Sequence, residues 1–185
     1  MANFFKKMAQ SLKGDNPAEE QQTPASQTPA EKGIGEEAFV MPIDGTVIPL
    51  TEVPDPVFAQ EMMGPGFAID PTGDTICSPV DGKVVSVFPT KHAIGLESST
   101  GVEVLIHVGL DTVKLNGEGF DLLVKNDQPI RRGDALLKID VAHIKANAPS
   151  AVTPVIFTNT DKEKIHLLKE GKQTQGTSGI VRVDA

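Results

Sequence analysis

Short segments rich in valine and isoleucine, separated at close spacing by glycine, proline and aspartate, run from Phe39 to the end of the chain. Such segments are typical of strands joined by tight turns. One of them occurs twice, because residues 41–48 (MPIDGTVI) and 78–85 (SPVDGKVV) share the pattern x-Pro-apolar-Asp-Gly-x-Val-apolar. In this pattern Asp-Gly supplies a tight turn before a strand. The two copies predict a duplicated β motif within an all-β fold, an antiparallel β-sandwich.

Helical patterns are few and short in this part of the chain. We expect one or two helical turns at residues 56–63, another at 142–147 and a short surface helix at 162–169. Residues 133–140 predict a turn followed by a strand, and residues 179–183 predict a last strand.

The first 38 residues differ from the rest in composition. Residues 1–13 (MANFFKKMAQSLK) gather their apolar side chains on one side of a helix, with lysines elsewhere. This is the pattern of an interfacial helix that associates weakly with anionic membranes, although docking on its own protein is the alternative. Residues 14–38, rich in Pro, Gln, Ala, Thr and Glu, predict a disordered linker. The folded domain is then expected over residues 39–185.

Charge and composition narrow the classes of partner. The formal net charge is −8 and the chain has no Trp and no Tyr, which argues against nucleic acid as a partner. An acidic surface favours basic protein partners, or it simply keeps the protein in solution. A single cysteine, Cys77, fits a reducing compartment. With no apolar run of about 20 residues and no signal peptide, we expect a cytoplasmic protein, with residues 1–13 reaching the inner face of the membrane.

Two of the four histidines fall in one predicted hairpin, residues 90–111. The polar cluster SSTG at residues 98–101 predicts its turn. An even-numbered loop places His92 directly opposite His107, with Cβ atoms about 4.5–5.5 Å apart. A three-residue loop would shift the register by one and remove that pairing.

The alternation in the second strand indicates which way the pair points. His107 lies on the face away from an apolar row suited to a core, and that row consists of Val102, Val104, Ile106 and Val108. Thr90 precedes His92 by two residues, so its hydroxyl is expected on the same face and within hydrogen-bond reach of the imidazoles.

Two neighbouring imidazoles beside a hydroxyl suit phosphoryl transfer. A neutral imidazole can take up a phosphoryl group on one ring nitrogen while a hydrogen bond to the other nitrogen fixes the tautomer. The second imidazole could donate to the phosphoryl oxygens, and Thr90 could add a donor or relay. The chain has no Gly-rich phosphate loop of the Walker type, so the donor is expected to be another protein rather than a nucleotide.

The segments around these residues match a known family. Residues 106–113 (IHVGLDTV), followed by 115–120 (LNGEGF), closely resemble the active-site segment of the glucose-type enzyme IIA of the bacterial phosphoenolpyruvate:sugar phosphotransferase system. The resemblance extends from Phe39 to about Val183, and it includes residues 53–58 (VPDPVF), 71–73 (PTG) and 90–93 (TKHA). The family's fold is an antiparallel β-sandwich of duplicated motifs.

The resemblance implies a role for each residue of the constellation. His107 matches the histidine that accepts a phosphoryl group from the carrier protein HPr and passes it to a cysteine in the IIB domain of a glucose-family permease. His92 matches the neighbouring histidine that supports onward transfer, and Thr90 matches the hydroxyl bonded to it. Pro89 and Lys91 depart from the enteric proteins, which we expect to affect partner preference rather than chemistry.

The resemblance also implies a partner-binding surface. Asp55 and Asp111 match acidic residues that meet an arginine of HPr, whereas Val57, Phe58 and Phe88 match parts of the apolar surface around the site. The resemblance implies that no cofactor is required. Zinc would be held by His92 and His107 only in a complex in which a partner supplies a carboxylate, and regulated target proteins are further expected partners.

Two other classes of function remain open at this point. A zinc hydrolase on a similar duplicated scaffold could use the two imidazoles as ligands, but the sequence shows no third protein ligand. A lipoyl or biotinyl carrier domain is also a β-sandwich, but it needs a lysine at an exposed hairpin tip, and the sequence shows no such tip. His143 and His166, in short predicted helices without partner residues, have no assigned role.

Overall fold

The computed structural model describes residues 33–185. The predictions for residues 1–13, and for the linker up to residue 32, lie outside the described residues. The described part contains two short α-helices, α1 (Pro56–Ala59) and α2 (Val141–Asn147). No helix in it has the length and apolar character that crossing a bilayer would require.

Strands are the main regular elements of the described chain. In order they are β1 (Gly45–Pro49), β2 (Gly66–Pro71), β3 (Thr75–Cys77), β4 (Gly82–Val87), β5 (Ala93–Ser98), β6 (Glu103–His107), β7 (Phe120–Leu122), β8 (Pro129–Ile130), β9 (Ala135–Ile139), β10 (Thr153–Phe157), β11 (Ile165–Leu167), β12 (Gly171–Gln173) and β13 (Val181–Val183). Single 3₁₀ turns occupy Glu36–Ala38, Leu50–Glu52, Thr112–Leu115 and Lys162–Lys164.

The strands form one large sheet and two small ones. Eight strands lie in the order β12-β1-β2-β10-β6-β5-β4-β8, three in the order β3-β9-β7, and β11 pairs with β13. All of these pairs are antiparallel. One apolar core joins the three sheets, with Ile106 from the large sheet, Leu137 from the three-stranded sheet and Val181 from the small one all nearly inaccessible to solvent. The predicted antiparallel β-sandwich is confirmed.

The duplicated motif starts equivalent strands in the two halves. Its glycines open β1 and β4, and the aspartate before each glycine accepts a hydrogen bond from a distant backbone N–H group. Asp44 Oδ1 lies 2.6 Å from the Gln175 nitrogen, and Asp81 Oδ1 lies 2.9 Å from the Arg132 nitrogen. Each Asp-Gly pair therefore fastens the start of its strand to a later segment of the chain.

The glycines of the motif are needed for close packing rather than for a left-handed turn. Neither Gly45 nor Gly82 has a positive φ. A Cβ atom on Gly45 would lie 2.5 Å from the Asp70 carbonyl oxygen, and one on Gly82 would overlap the Glu97 carbonyl oxygen. Only glycine lets the two backbones approach this closely.

Two segments differ from the predictions. The helix expected at residues 162–169 is wrong, because a 3₁₀ turn there is followed by β11, whose Ile165 and Leu167 alternate toward the core and pair with β13. Pairing with a strand distant in sequence overrides the local helical preference of this charged stretch. Folded contacts also begin ahead of Phe39, since Ile34 is buried and exchanges two backbone hydrogen bonds with Val183.

Candidate active site

The hairpin formed by β5 and β6 has a different register from the one predicted. Its loop has three residues, and Ala93, not His92, lies opposite His107. Gly101 adopts φ +82° and donates its N–H to the Ser98 carbonyl, so the loop is a β-turn closed by a left-handed glycine. The predicted direct pairing of the two histidines is therefore wrong.

The two imidazole rings nevertheless lie side by side. Their centroids are 4.9 Å apart at an interplanar angle of 78°. His92 precedes β5, and Lys91 before it has φ +57°, so strict strand alternation does not set the direction of its side chain. The carbonyl of His92 accepts a hydrogen bond of 2.7 Å from the Val108 N–H, which holds this residue beside the end of β6.

The pair lies on the face of the large sheet that is turned away from the main core. As predicted, Val102, Val104, Ile106 and Val108 are buried in that core. The opposite face carries a second apolar cluster, made of Leu50, Val53, Phe58, Ala68, Ala93, Leu105, Leu110 and Ile156. This outer cluster covers the sheet around the histidines, so the site is partly desolvated.

Hydrogen bonding fixes the tautomer of His107. Its Nδ1 atom lies 2.9 Å from the carbonyl oxygen of Gly109. A carbonyl oxygen only accepts, so Nδ1 carries the proton and Nε2 of the neutral ring holds a free lone pair. Burial lowers the pKa of His107, while the Gly109 carbonyl and the negative charge of Asp55 act in the opposite direction. The ring is therefore neutral at pH 7, with Nε2 available as a nucleophile.

His92 is also neutral and is held by Thr90. Its side chain is almost inaccessible to solvent, and Thr90 Oγ1 lies 2.6 Å from its Nδ1 atom, as the sequence predicted. Burial, and to a lesser extent the neighbouring His107, lowers the pKa of His92 to about 4. If the threonine hydroxyl donates to Nδ1, Nε2 of His92 carries the proton and can donate to an anion.

An apolar rim surrounds the two rings. Phe58 is buried with its ring centroid 5.1 Å from that of His107, and Phe88 is 38% exposed with its ring centroid 5.5 Å from that of His92. Val57 is 39% exposed on the same helix as Phe58. The rim thus offers accessible apolar surface at Val57 and Phe88, whereas Phe58 acts as packing beneath His107.

The two predicted acidic residues have different local roles. Asp55 caps helix α1, its Oδ1 atom accepting the Val57 N–H at 2.8 Å, and its charge reaches His107. Asp111 has φ +58°, and its carboxylate is exposed and bound to the Lys114 ammonium at 2.7 Å. The structure therefore brings Asp55 to the histidine pair and leaves the carboxylate of Asp111 at the exposed edge.

Sequence reasoning assigned no role to Gly109, although its carbonyl decides which nitrogen of His107 is free. The available signal was a glycine two residues after the histidine, in a position that requires φ +73°. His143 lies on α2, and His166 bonds to the Asp184 carboxylate at 2.8 Å, a partner that the sequence did not reveal.

A metal centre built by this chain alone finds no support. Within residues 33–185 there is no group of three or more His, Cys, Asp or Glu side chains placed to hold a metal ion. The two imidazoles are one ligand short of the three that a catalytic zinc site normally takes from the protein. The zinc hydrolase alternative is therefore not supported.

A family model matches residues 37–163, and its description is the phosphoenolpyruvate-dependent sugar phosphotransferase system, EIIA 1. In the glucosamine-specific EIICBA component of Bacillus subtilis, 134 residues are 54% identical to this chain, covering 72% of the chain and 21% of that protein. The chain thus spans about a fifth of the length of that relative.

Two further comparisons involve proteins of similar size to the described domain. The glucose-specific EIIA component of Staphylococcus epidermidis is 46% identical over 143 residues, which cover 77% of this chain and 86% of that protein. The solved structure of the glucose permease IIA from Mycoplasma capricolum superposes with a TM-score of 0.75 at 42% identity, covering 81% of this chain and 96% of that one.

Proposed function

Because the chain belongs to the EIIA 1 family of the phosphoenolpyruvate-dependent sugar phosphotransferase system, in which it is a phosphocarrier, we propose that His107 is the residue that carries the phosphoryl group. The observation that supports this most directly is the hydrogen bond from His107 Nδ1 to the Gly109 carbonyl. It leaves Nε2 as the free nitrogen of a neutral ring, next to a second neutral imidazole and an accessible apolar rim.

In the first transfer, the Nε2 lone pair of His107 attacks phosphorus in line. A nitrogen–phosphorus bond forms while the bond from phosphorus to the donor breaks, and the departing electron pair stays with the donor. Once the group is on His107, His92, with its Nδ1 held by Thr90, donates from Nε2 to a phosphoryl oxygen. In the second transfer the phosphoryl group passes from His107 to a cysteine of the acceptor, and the His92 contact stabilises charge on the moving group.

We assign HPr as the donor and the IIB domain of a glucose-family permease as the acceptor. The acidic side chains of Asp55 and Asp111 would meet an arginine of HPr, and the exposed faces of Val57 and Phe88 would exclude water from the contact. The net charge of −8 favours encounter with a basic partner. The buried free thiol of Cys77 fits a reaction in the cytoplasm.

We propose that transfer needs no cofactor and that zinc is bound only in a partner complex. Two imidazole nitrogens fill half of a tetrahedral zinc site, so a partner carboxylate would have to complete the set. Calorimetric titration with zinc should therefore show tight binding by the protein with its partner and weak binding by the protein alone. Tight binding by the isolated chain would contradict this.

Labelling with radioactive phosphoenolpyruvate, enzyme I and HPr tests the assignment. His107→Ala should take up no label, whereas His92→Ala should accept the group at close to the wild-type rate and deliver it slowly to the IIB domain. His166→Ala serves as the matched control, because its ring bonds to the Asp184 carboxylate and not to a residue of the site. Labelling of His107→Ala at the wild-type level would overturn the proposal. Complementation of a strain lacking its own glucose-type IIA, on several sugars, would identify the permease served.

A further inference from the structure

We propose that Thr112 is a positioning residue for His107, because its buried hydroxyl holds the turn that presents the Gly109 carbonyl to the imidazole. This inference rests on the proposed function and adds to it a residue that does not touch the reacting atoms. Thr112 is the first residue of the 3₁₀ turn Thr112–Leu115, which comes shortly after β6, and it is completely buried.

The hydroxyl of Thr112 bonds to the backbone of Val108, the residue between His107 and Gly109. Its Oγ1 atom lies 2.5 Å from the Val108 carbonyl oxygen, which can only accept, so the hydroxyl donates. The N–H of the same Val108 donates to the His92 carbonyl at 2.7 Å. Val108 is thus held at both ends, and it lies directly between His107 and Gly109 in the chain. The Thr112 hydroxyl therefore restrains a residue that follows His107 in the chain and is hydrogen-bonded to His92.

The methyl group of Thr112 packs beneath the same turn. Gly109 has φ +73°, and a Cβ atom added there would lie 2.5 Å from Thr112 Cγ2 and 2.9 Å from the Ser150 carbonyl oxygen. The next residue, Leu110, donates its N–H to that Ser150 carbonyl at 2.9 Å. The Gly109 peptide is therefore enclosed by Thr112 on one side and by the segment before β10 on the other. This enclosure sets the direction of its carbonyl group.

The direction of this carbonyl matters because it selects the tautomer. With the carbonyl in place, the proton of His107 stays on Nδ1 and the lone pair stays on Nε2. If the turn relaxes, Nδ1–H loses its acceptor, and the tautomer that carries the proton on Nε2 becomes populated. That tautomer has no lone pair on the nitrogen that attacks phosphorus. A neutral hydrogen bond is worth about a fivefold change in the ratio of the two tautomers.

The test separates the hydroxyl of Thr112 from its methyl group. Thr112→Val keeps the shape and removes the donor, whereas Thr112→Ser keeps the donor. Ser78→Ala is the matched control, because the Ser78 hydroxyl is completely buried and donates to the Val80 carbonyl at 2.7 Å, in the second copy of the repeat. The readouts are the His107 tautomer, from ¹⁵N chemical shifts of the imidazole in the full chain, and the initial rate of phosphoryl acceptance from HPr.

We expect Thr112→Val to populate the Nε2–H tautomer and to accept the phosphoryl group more slowly, by up to about fivefold, whereas Thr112→Ser and Ser78→Ala keep the wild-type tautomer and rate. A Thr112→Val protein with the wild-type tautomer and rate overturns the inference, as does an equal effect of Ser78→Ala. If Thr112→Val does not fold, Thr112→Ala against Thr112→Ser makes the same comparison. Failure of the proposed function is distinguishable, because it would appear as label on His107→Ala.

Discussion

We expect acidification from pH 7.5 to pH 5 to destabilise the protein, with His92 alone contributing about 2 kcal/mol to the loss in free energy of unfolding. The folded protein lowers the pKa of His92 to about 4, from an ordinary value of 6.5. Between these values the unfolded chain binds a proton at this position and the folded protein does not. The free energy of unfolding therefore falls as the pH falls through 6.5, and this contribution is complete below pH 4.

The magnitude follows from the two pKa values. The value of pH 5 lies about 1.5 units below the pKa of the imidazole in the unfolded chain, so that imidazole is protonated. The imidazole in the folded protein remains mostly neutral at this pH. Each pH unit is worth about 1.4 kcal/mol, so the difference is about 2 kcal/mol. The full contribution below pH 4 would be about 3 kcal/mol. The pKa of His107 is lowered as well, so its contribution has the same sign.

Urea unfolding at pH 7.5 and pH 5 measures the effect. His92→Gln keeps a side chain that can accept from Thr90 but does not titrate, so it should lose about 2 kcal/mol less than the wild type over this range. Ser78→Ala, which removes a buried group that does not titrate, should lose as much as the wild type. An NMR titration of the His92 ring should show a midpoint near pH 4. A midpoint near 6.5, or the same pH dependence in His92→Gln, would refute the reasoning.

Three further perturbations test the packing and the site. Gly82→Ala should lower the free energy of unfolding in urea by about 3 kcal/mol, because the new Cβ would overlap a carbonyl of β5. Gly35→Ala, with open space around it, should leave the free energy of unfolding nearly unchanged. Equal losses in the two variants would contradict this. Thr90→Val should slow delivery to the IIB domain about fivefold in rapid-quench experiments, with acceptance from HPr little changed; equal slowing of both steps would argue against it. Asp55→Asn keeps the helix cap and removes the charge, so the NMR titration midpoint of His107 should fall, and an unchanged midpoint would exclude the charge as a cause.

The sequence predicted those features of the fold that are encoded locally. The Asp-Gly motifs begin two strands, and the alternation of residues 102–108 separates a core face from an outer face, as predicted. The prediction of a helix at residues 162–169 was wrong because residues 165–167 pair with the strand Val181–Val183, and local propensity cannot reveal a partner so distant in sequence. The Asp-Gly pairs were predicted to supply tight turns. Gly45 and Gly82 have no positive φ and are needed because each lies close to a neighbouring backbone, which is visible only in three dimensions.

The proximity of the two histidines was predicted, although the register used to predict it was wrong. The cluster at residues 98–101 is compatible with loops of two, three or four residues, and only the left-handed backbone of Gly101 selects three. That choice moves Ala93 opposite His107. The left-handed Lys91 then lets His92 turn toward its neighbour from outside the strand. The left-handed Gly101 moves His92 out of register with His107, and the left-handed Lys91 brings its ring back beside His107. The sequence predicted neither backbone conformation.

The outer apolar cluster explains why the site can act at neutral pH. On an uncovered sheet face, His107 would be well hydrated and closer to its ordinary pKa, so part of the population would be protonated and unable to attack. Phe58 from α1 and its neighbours cover that face, and burial lowers the pKa. If burial acted alone, the nitrogen would become a poorer base and a poorer nucleophile. The Gly109 carbonyl and the charge of Asp55 oppose it, so the ring stays neutral while its Nε2 lone pair remains reactive.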